Sequence, residues 1–117
     1  MKQKFDYDYE NDSLFIYDSL NKSKGCIELD NLVIDLSSKG NISSIEIFDA
    51  SKFFSNISSQ KISKTKLKSI IKCNLEVISQ NNFFLLKFNL ELENDLKITS
   101  PLMIPTVNEP SPATGKI

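Results

Sequence analysis

Leu32 to Ser51 reads LVIDLSSKGNISSIEIFDAS, and its reading decides the fold. Leu32, Ile34 and Leu36 alternate with Val33 and Asp35, and Ile45 and Ile47 alternate with Ser44 and Glu46. Period two predicts two half-buried strands. The cluster Ser37-Ser38-Lys39-Gly40-Asn41 between them predicts a turn, in which Gly40 takes positive φ without a Cβ clash. After Phe48 the spacing becomes helical. Asp49 is the expected N-cap, since its carboxylate can accept from the free amides of a first turn. Phe48 and Phe53 are the expected hydrophobic staple. Ser55-Asn56 favours loop and limits this helix to about Ala50–Phe54. Strand, turn, strand and helix in immediate succession imply an α+β chain built on antiparallel hairpins.

Working towards the N-terminus, Cys26–Leu29 is a short strand broken by Asp30-Asn31. Phe5, Tyr7 and Tyr9 alternate with Asp6 and Asp8, and Ser13–Tyr17 forms the returning strand. A two-residue turn at Asn11-Asp12 pairs Tyr9 with Leu14 and Tyr7 with Ile16, all on one face. Towards the C-terminus, Ser63 is a second N-cap, flanked by Ile62 and Leu67, and predicts a helix over about Lys64–Ile71. Leu75, Val77 and Ile78 open a strand, and Phe84, Leu86, Phe88, Leu90 and Leu92 line one face of the longest one. A two-residue turn at Asn94-Asp95 would set Ile98 opposite Glu91 and Leu96 opposite Glu93, which puts the apolar sets of this strand and the next on opposite faces. A three-residue loop, Glu93-Asn94-Asp95, pairs Leu90 with Ile98, Leu86 with Leu102 and Phe84 with Ile104, and is therefore predicted. Pro101 cannot donate to a ladder and marks an edge strand. The expected architecture is a curved antiparallel β-sheet of about seven strands with two short helices in the middle of the chain. Residues 1–104 form a single α+β domain, and residues 105–117, rich in Pro, Ser and Thr, form an extended or disordered tail.

The absences limit chemistry. The 117 residues contain no His, no Trp and no Arg, and all 14 basic residues are Lys. There is no imidazole base or His metal ligand and no guanidinium clamp for phosphate. No GxSxG elbow is present. Glu46 and Asp49 could serve as acid and base only if something set them apart from a strand carboxylate and a helix cap. Asp6, Asp8, Glu10 and Asp12 are four carboxylates within seven residues, but they lack the Gly and closing Glu of a calcium loop and read as a solvated strand face. No catalytic residue, metal, cofactor or small-molecule substrate is expected. Cys26 and Cys73 form no CxxC pair and read as small core residues with free thiols. No apolar run approaches the ~20 residues of a membrane span, and the N-terminus MKQKFDYDYE is too polar for a signal peptide. The expected compartment is the cytoplasm, with no membrane partner.

Charge is strongly segregated, although the net is only −1. Residues 5–49 carry ten acids against three lysines, and residues 50–75 carry six lysines and no acid. Lys61, Lys64, Lys68 and Lys72 are the candidate basic patch, the last three falling near one another on the second helix. Complementarity with the acidic hairpins, within or between chains, is the favoured meaning. Binding of RNA or a ribosome through Lys52–Lys72 is the rival. Phe15, Tyr17, Phe83 and Leu85 lie on strand faces opposite the apparent core, more two-sided hydrophobicity than a small sheet needs. They are the candidate interface for a protein partner or a second copy.

Tyr7-Asp8, the acidic turn ending in Asp12, and Leu14-Phe15-Ile16 resemble the opening hairpin of the domain of unknown function (DUF) 2283 family. Leu32–Leu36, Gly40, Ile45-Glu46-Ile47 and Asp49-Ala50-Ser51 resemble its second half. The resemblance covers residues 5–54 and leaves 55–104 as a helix-plus-hairpin extension of the kind seen in archaeal members. It implies a small protein with no assigned activity and no catalytic residue to carry over. Some members stand beside RelE-like toxins, which implies an antitoxin-like role as a third reading. The leading expectation is a non-enzymatic protein-interaction module, homo-oligomeric or an accessory subunit.

Overall fold

A computed structural model of the chain describes residues 3–18, 25–37, 41–79 and 82–105. The order is β1 (Gln3–Asp8), β2 (Ser13–Asp18), β3 (Gly25–Leu29), β4 (Leu32–Leu36), β5 (Ile42–Phe48), α1 (Ala50–Ser58), α2 (Lys64–Lys68), β6 (Ile70–Ser79), β7 (Phe83–Leu92) and β8 (Lys97–Pro105). The fold is α+β with two short central helices, as the patterning implied. Among the described residues the eight strands are all antiparallel and form two sheets, β1-β2-β5-β4-β3 and β6-β7-β8.

One core joins the two sheets. Leu14, Ile16, Ile34, Ile45 and Ile47 from the five-stranded sheet meet Leu86, Phe88, Leu90 and Ile98 from the three-stranded one. Helix α1 connects them: the rings of Phe53 and Phe54 stand edge-on to Phe88 at 5.8 and 5.5 Å. At the seam between β1 and β6 a side chain replaces the ladder. Gln3 Nε2 donates to the Leu75 carbonyl and the Leu75 amide donates to Gln3 Oε1, both at 2.8 Å. The primary amide thereby makes the pair of bonds that a neighbouring strand would make.

The three-residue loop between β7 and β8 is present, with Leu90 opposite Ile98, Leu86 opposite Leu102 and Phe84 opposite Ile104. Asn94 and Asp95 take left-handed φ of 67° and 61°. β8 is an edge strand, and Pro101 lies in it. Gly40 and residues 106–117 lie outside the described residues.

Several local expectations are corrected. The first hairpin has a four-residue loop, Tyr9–Asp12, so Tyr7 opposes Leu14 and Phe5 opposes Ile16. The Asp8 carboxylate holds this loop by accepting from the amides of Glu10 and Asn11 and from Asn11 Nδ2. Helix α1 runs a turn beyond Phe54, because Ser55 and Ser58 hydroxyls donate back to the carbonyls of Ser51 and Phe54 and do not divert the backbone. Helix α2 stops at Lys68, since Ile70 already pairs with Leu92 in β6. Ser63 does cap it, accepting from the Lys66 amide at 3.1 Å. Asp49 does not cap α1: it sits at φ 52°, ψ 50° and its side chain makes no cap bond. Phe48 remains 42 % exposed while Phe53 is buried, so no staple closes over the helix start. Cys26 is exposed and is not a core residue.

Candidate interaction faces

The capping of α1 comes from Asp12, 39 positions away in sequence. Its carboxylate accepts from the Ser51 amide at 3.1 and 3.2 Å and from Ser51 Oγ at 2.6 Å, and its carbonyl accepts from the Ala50 amide at 2.9 Å. Tyr7 Oη donates to the same carboxylate at 2.6 Å. Burial, followed by this hydrogen bond and the Asp12 charge, raises the Tyr7 phenol well above its ordinary range. Tyr7, Asp12 and Ser51 belong to the segments that carry the family resemblance, and they are engaged with one another. A long-range cap leaves no local sequence signal beyond the acidic turn and the small residues at the helix start.

Strand register defines what each sheet presents away from the core. On the five-stranded sheet one cross-strand row reads Asp6, Phe15, Glu46, Val33, Glu28, and the next reads Lys4, Tyr17, Ser44, Asp35, Cys26. Phe15 and Tyr17 are half-buried and stacked, with centroids 4.8 Å apart. Carboxylates and apolar side chains thus alternate along the first row, at the ~4.8 Å spacing of adjacent strands. Ser44 Oγ donates to Asp35 at 2.8 Å, and Asp8 lies in the following row. The Asp8 carboxyl is held below its usual value, first by the Asn11 side chain and then by the Asn11 amide.

On the three-stranded sheet the outward face is graded. Lys72-Glu91-Lys97, Asn74-Asn89-Thr99 and Glu76-Lys87-Pro101 form polar rows, followed by the apolar row Ile78-Leu85-Met103 and the pair Phe83-Pro105. Ile78 and Met103 are 45 % and 61 % exposed. The four predicted interface residues therefore divide between two sheets, Phe15 and Tyr17 on one, Phe83 and Leu85 on the other. Ile78 and Met103 were missed, though both fall at the outward positions of their strands.

Lys64 and Lys68 lie on α2, and both ammonium groups stand 4.8 Å from the centroid of the Tyr9 ring. Lys61 precedes the helix and its carbonyl accepts from Lys66 Nζ. Lys72 is not on the helix with them; it lies in β6 because the helix ends four residues earlier. Between described residues the one ion pair is Lys87–Glu76 at 4.0 Å. The lysines of α2 and the acids of the five-stranded sheet thus form no ion pair with one another among the described residues, although the Lys64 charge acts on Asp8.

A cleft of about 470 Å³ opens between the sheets beside Gln3, Ile16, Asp18, Leu75 and Phe84. Gln3 is engaged by Leu75, and Ser43 and Ser44, which also line it, are bonded to Asp35. Burial pushes the Cys73 thiol up to about 12, so it stays protonated at neutral pH. Among the described residues no group of three or more His, Cys, Asp or Glu side chains is placed to hold a metal ion, and no helix is long and apolar enough to cross a membrane.

The family model for a protein of unknown function, DUF2283, matches residues 4–51. An uncharacterized protein of Methanocaldococcus jannaschii is 39% identical over 92 residues, covering 79% of this chain and 73% of the relative. A Methanosarcina mazei protein provisionally named a hypoxanthine phosphoribosyltransferase is 33% identical over 116 residues, covering 96% of this chain and 89% of its own. No solved structure matches. With the matched segment spanning β1 to the start of α1 and archaeal relatives extending through both sheets, the chain belongs to the DUF2283 family, whose function is unknown.

Proposed function

We propose that the chain is a non-enzymatic, cytoplasmic protein-interaction module that works through the outward faces of its sheets, as a homo-oligomer or as an accessory subunit. The observation that carries this reading is the row Ile78-Leu85-Met103 with Phe83 and Pro105, a contiguous apolar surface with no charged side chain in it. Such a surface gains free energy when another protein removes it from water. The polar residues of the family-like half support the absence of catalysis, since Tyr7, Asp12 and Ser51 hold a helix end. The name of the Methanosarcina relative suggests phosphoribosyl transfer, which requires a phosphate to be held. This chain has no Arg, and its three Gly include none just before α1 or α2, where a phosphate cradle would form.

Affinity purification of the tagged chain from its native source tests the reading, comparing the wild type with Leu85→Asp/Met103→Asp. Both positions face outward, so the variant is expected to fold. A protein retained by the wild type and lost from the variant, an untagged copy included, is the expected result. Retention of the same set by both overturns the assignment of the apolar row.

A further inference from the structure

We infer that a second copy of this chain docks by its Lys61–Lys68 segment on the outward face of the five-stranded sheet, an inference that rests on the interaction-module reading but uses a different surface. Both halves of the contact are visible in one chain. The acidic half is the row Asp6-Phe15-Glu46-Val33-Glu28, with Asp35 and Tyr17 in the row beside it. Its alternation suits a lysine. The aliphatic stem lies on Phe15, Tyr17 or Val33 while the ammonium reaches a carboxylate one strand away. The stacked Phe15–Tyr17 pair also offers ring surface to an ammonium, and this chain already places Lys64 and Lys68 over a tyrosine ring in that manner. The basic half is the segment Lys61–Lys68, with four lysines and no acid. Lys4 in the second row and the Asp8 charge acting on Lys64 offset part of these charges, but no ion pair between described residues ties down either half, since the one such pair, Lys87–Glu76, belongs to the other sheet. Phosphate-bearing partners suit the lysines less well, since Asp8 and Glu10 flank Tyr9 where a nucleic acid would approach.

A charge-driven contact and an apolar contact respond to salt with opposite sign, screening weakening the first and salting-out strengthening the second. Sedimentation velocity on the full chain, at about 20 mM and about 500 mM NaCl, is therefore informative without any mutation. The expected result is association at low salt that weakens by roughly tenfold or more at high salt. Two exposed variants then test the faces: Asp6→Lys/Glu28→Lys leaves the sheet row with two lysines and one acid, and Lys61→Glu/Lys66→Glu/Lys68→Glu leaves the helix segment with one lysine and three acids, so each face changes sign. Each is expected to remain monomeric alone at low salt, and an equimolar mixture is expected to associate, because every contact in the mixture again joins opposite charges. A wild type that is monomeric at low salt, or variants that each self-associate like the wild type, overturns the inference. Association that persists at high salt and in both charge variants but is lost in Leu85→Asp/Met103→Asp also overturns it, while leaving the interaction-module reading standing on the apolar row.

Discussion

Asp12 does at a distance what Asp49 does not do locally. Four hydrogen bonds converge on its carboxylate, three from Ser51 and one from Tyr7. Replacing it removes the α1 cap and leaves the Tyr7 hydroxyl without its partner, so Asp12→Ala is expected to cost about 2 kcal/mol in urea unfolding. Asp49 occupies the left-handed region without a compensating cap bond, and Asp49→Gly is expected to raise stability by up to about 1 kcal/mol. If Asp49→Gly instead proves as damaging as Asp12→Ala, the long-range cap is wrong. Ser100 is a second residue whose chemistry is not accounted for by its neighbours: it is fully buried, and its Oγ has no hydrogen-bond partner among the described residues. Removing an unpaired buried hydroxyl is neutral or favourable, so thermal unfolding of Ser100→Ala is expected at or above the wild-type midpoint. A midpoint several degrees lower would show that the hydroxyl has a role. The long-range cap explains why local reading picked Asp49. Asp49 stands at the N-cap position, where an acid is favoured, and nothing within a few residues of it reveals that a hairpin loop supplies the bonds.

At the scale of elements, the two hairpin loops show what strand patterning can and cannot resolve. A one-residue change of register turns every side chain to the opposite face, whereas a two-residue change leaves all faces as they were. The β7–β8 register was therefore legible, because a two-residue loop would have buried Glu91 and Glu93 against apolar partners. The β1–β2 register was not, because Tyr9 opposite Leu14 and Tyr7 opposite Leu14 bury the same face; the Asp8-centred turn decides between them. Deleting Asn94 converts the β7–β8 loop to two residues and drives Ile98 and Ile104, both buried, towards solvent. Exposing each costs about 2 kcal/mol, on top of the ladder disruption, against a total stability of only about 5–15 kcal/mol. The deletion is expected to give a chain that lacks a cooperative unfolding transition by circular dichroism, and Asn94→Gly, which preserves loop length, is expected to unfold as cooperatively as the wild type. A cooperative deletion variant would mean that β8 tolerates the flipped register. Period two likewise exposed Phe15, Tyr17, Phe83 and Leu85 as outward residues, but their division between two sheets was hidden, because the break at β1 and β6 is bridged by one side chain.

At the scale of the whole molecule, that bridge and the core are what join the two sheets. The two sheets share a core, but across the seam Gln3 supplies both hydrogen bonds to Leu75. Alkaline unfolding reports on the shared core. Cys73 is held near 12 against an ordinary value of 9.0, and Tyr7 is also raised, so the folded chain keeps protons that the unfolded chain releases. Stability is therefore complete below about pH 9 and falls as the pH climbs towards 12. In Cys73→Ala the decline between those values is expected to be shallower, and an unchanged slope would remove Cys73 as its source. The seam is tested by Gln3→Ala. Two part-buried neutral hydrogen bonds contribute about 1 kcal/mol each, so a loss of about 2 kcal/mol is expected. Magnitude alone does not distinguish a seam from any other contact, but location does. The Leu75 amide is protected by Gln3 and not by the β7 ladder, so its hydrogen exchange in Gln3→Ala is expected to accelerate well beyond that of Asn74 and Glu76, its neighbours in β6. Uniform acceleration along β6 would mean that the sheets are joined by the core alone, and that Gln3 is an incidental surface contact.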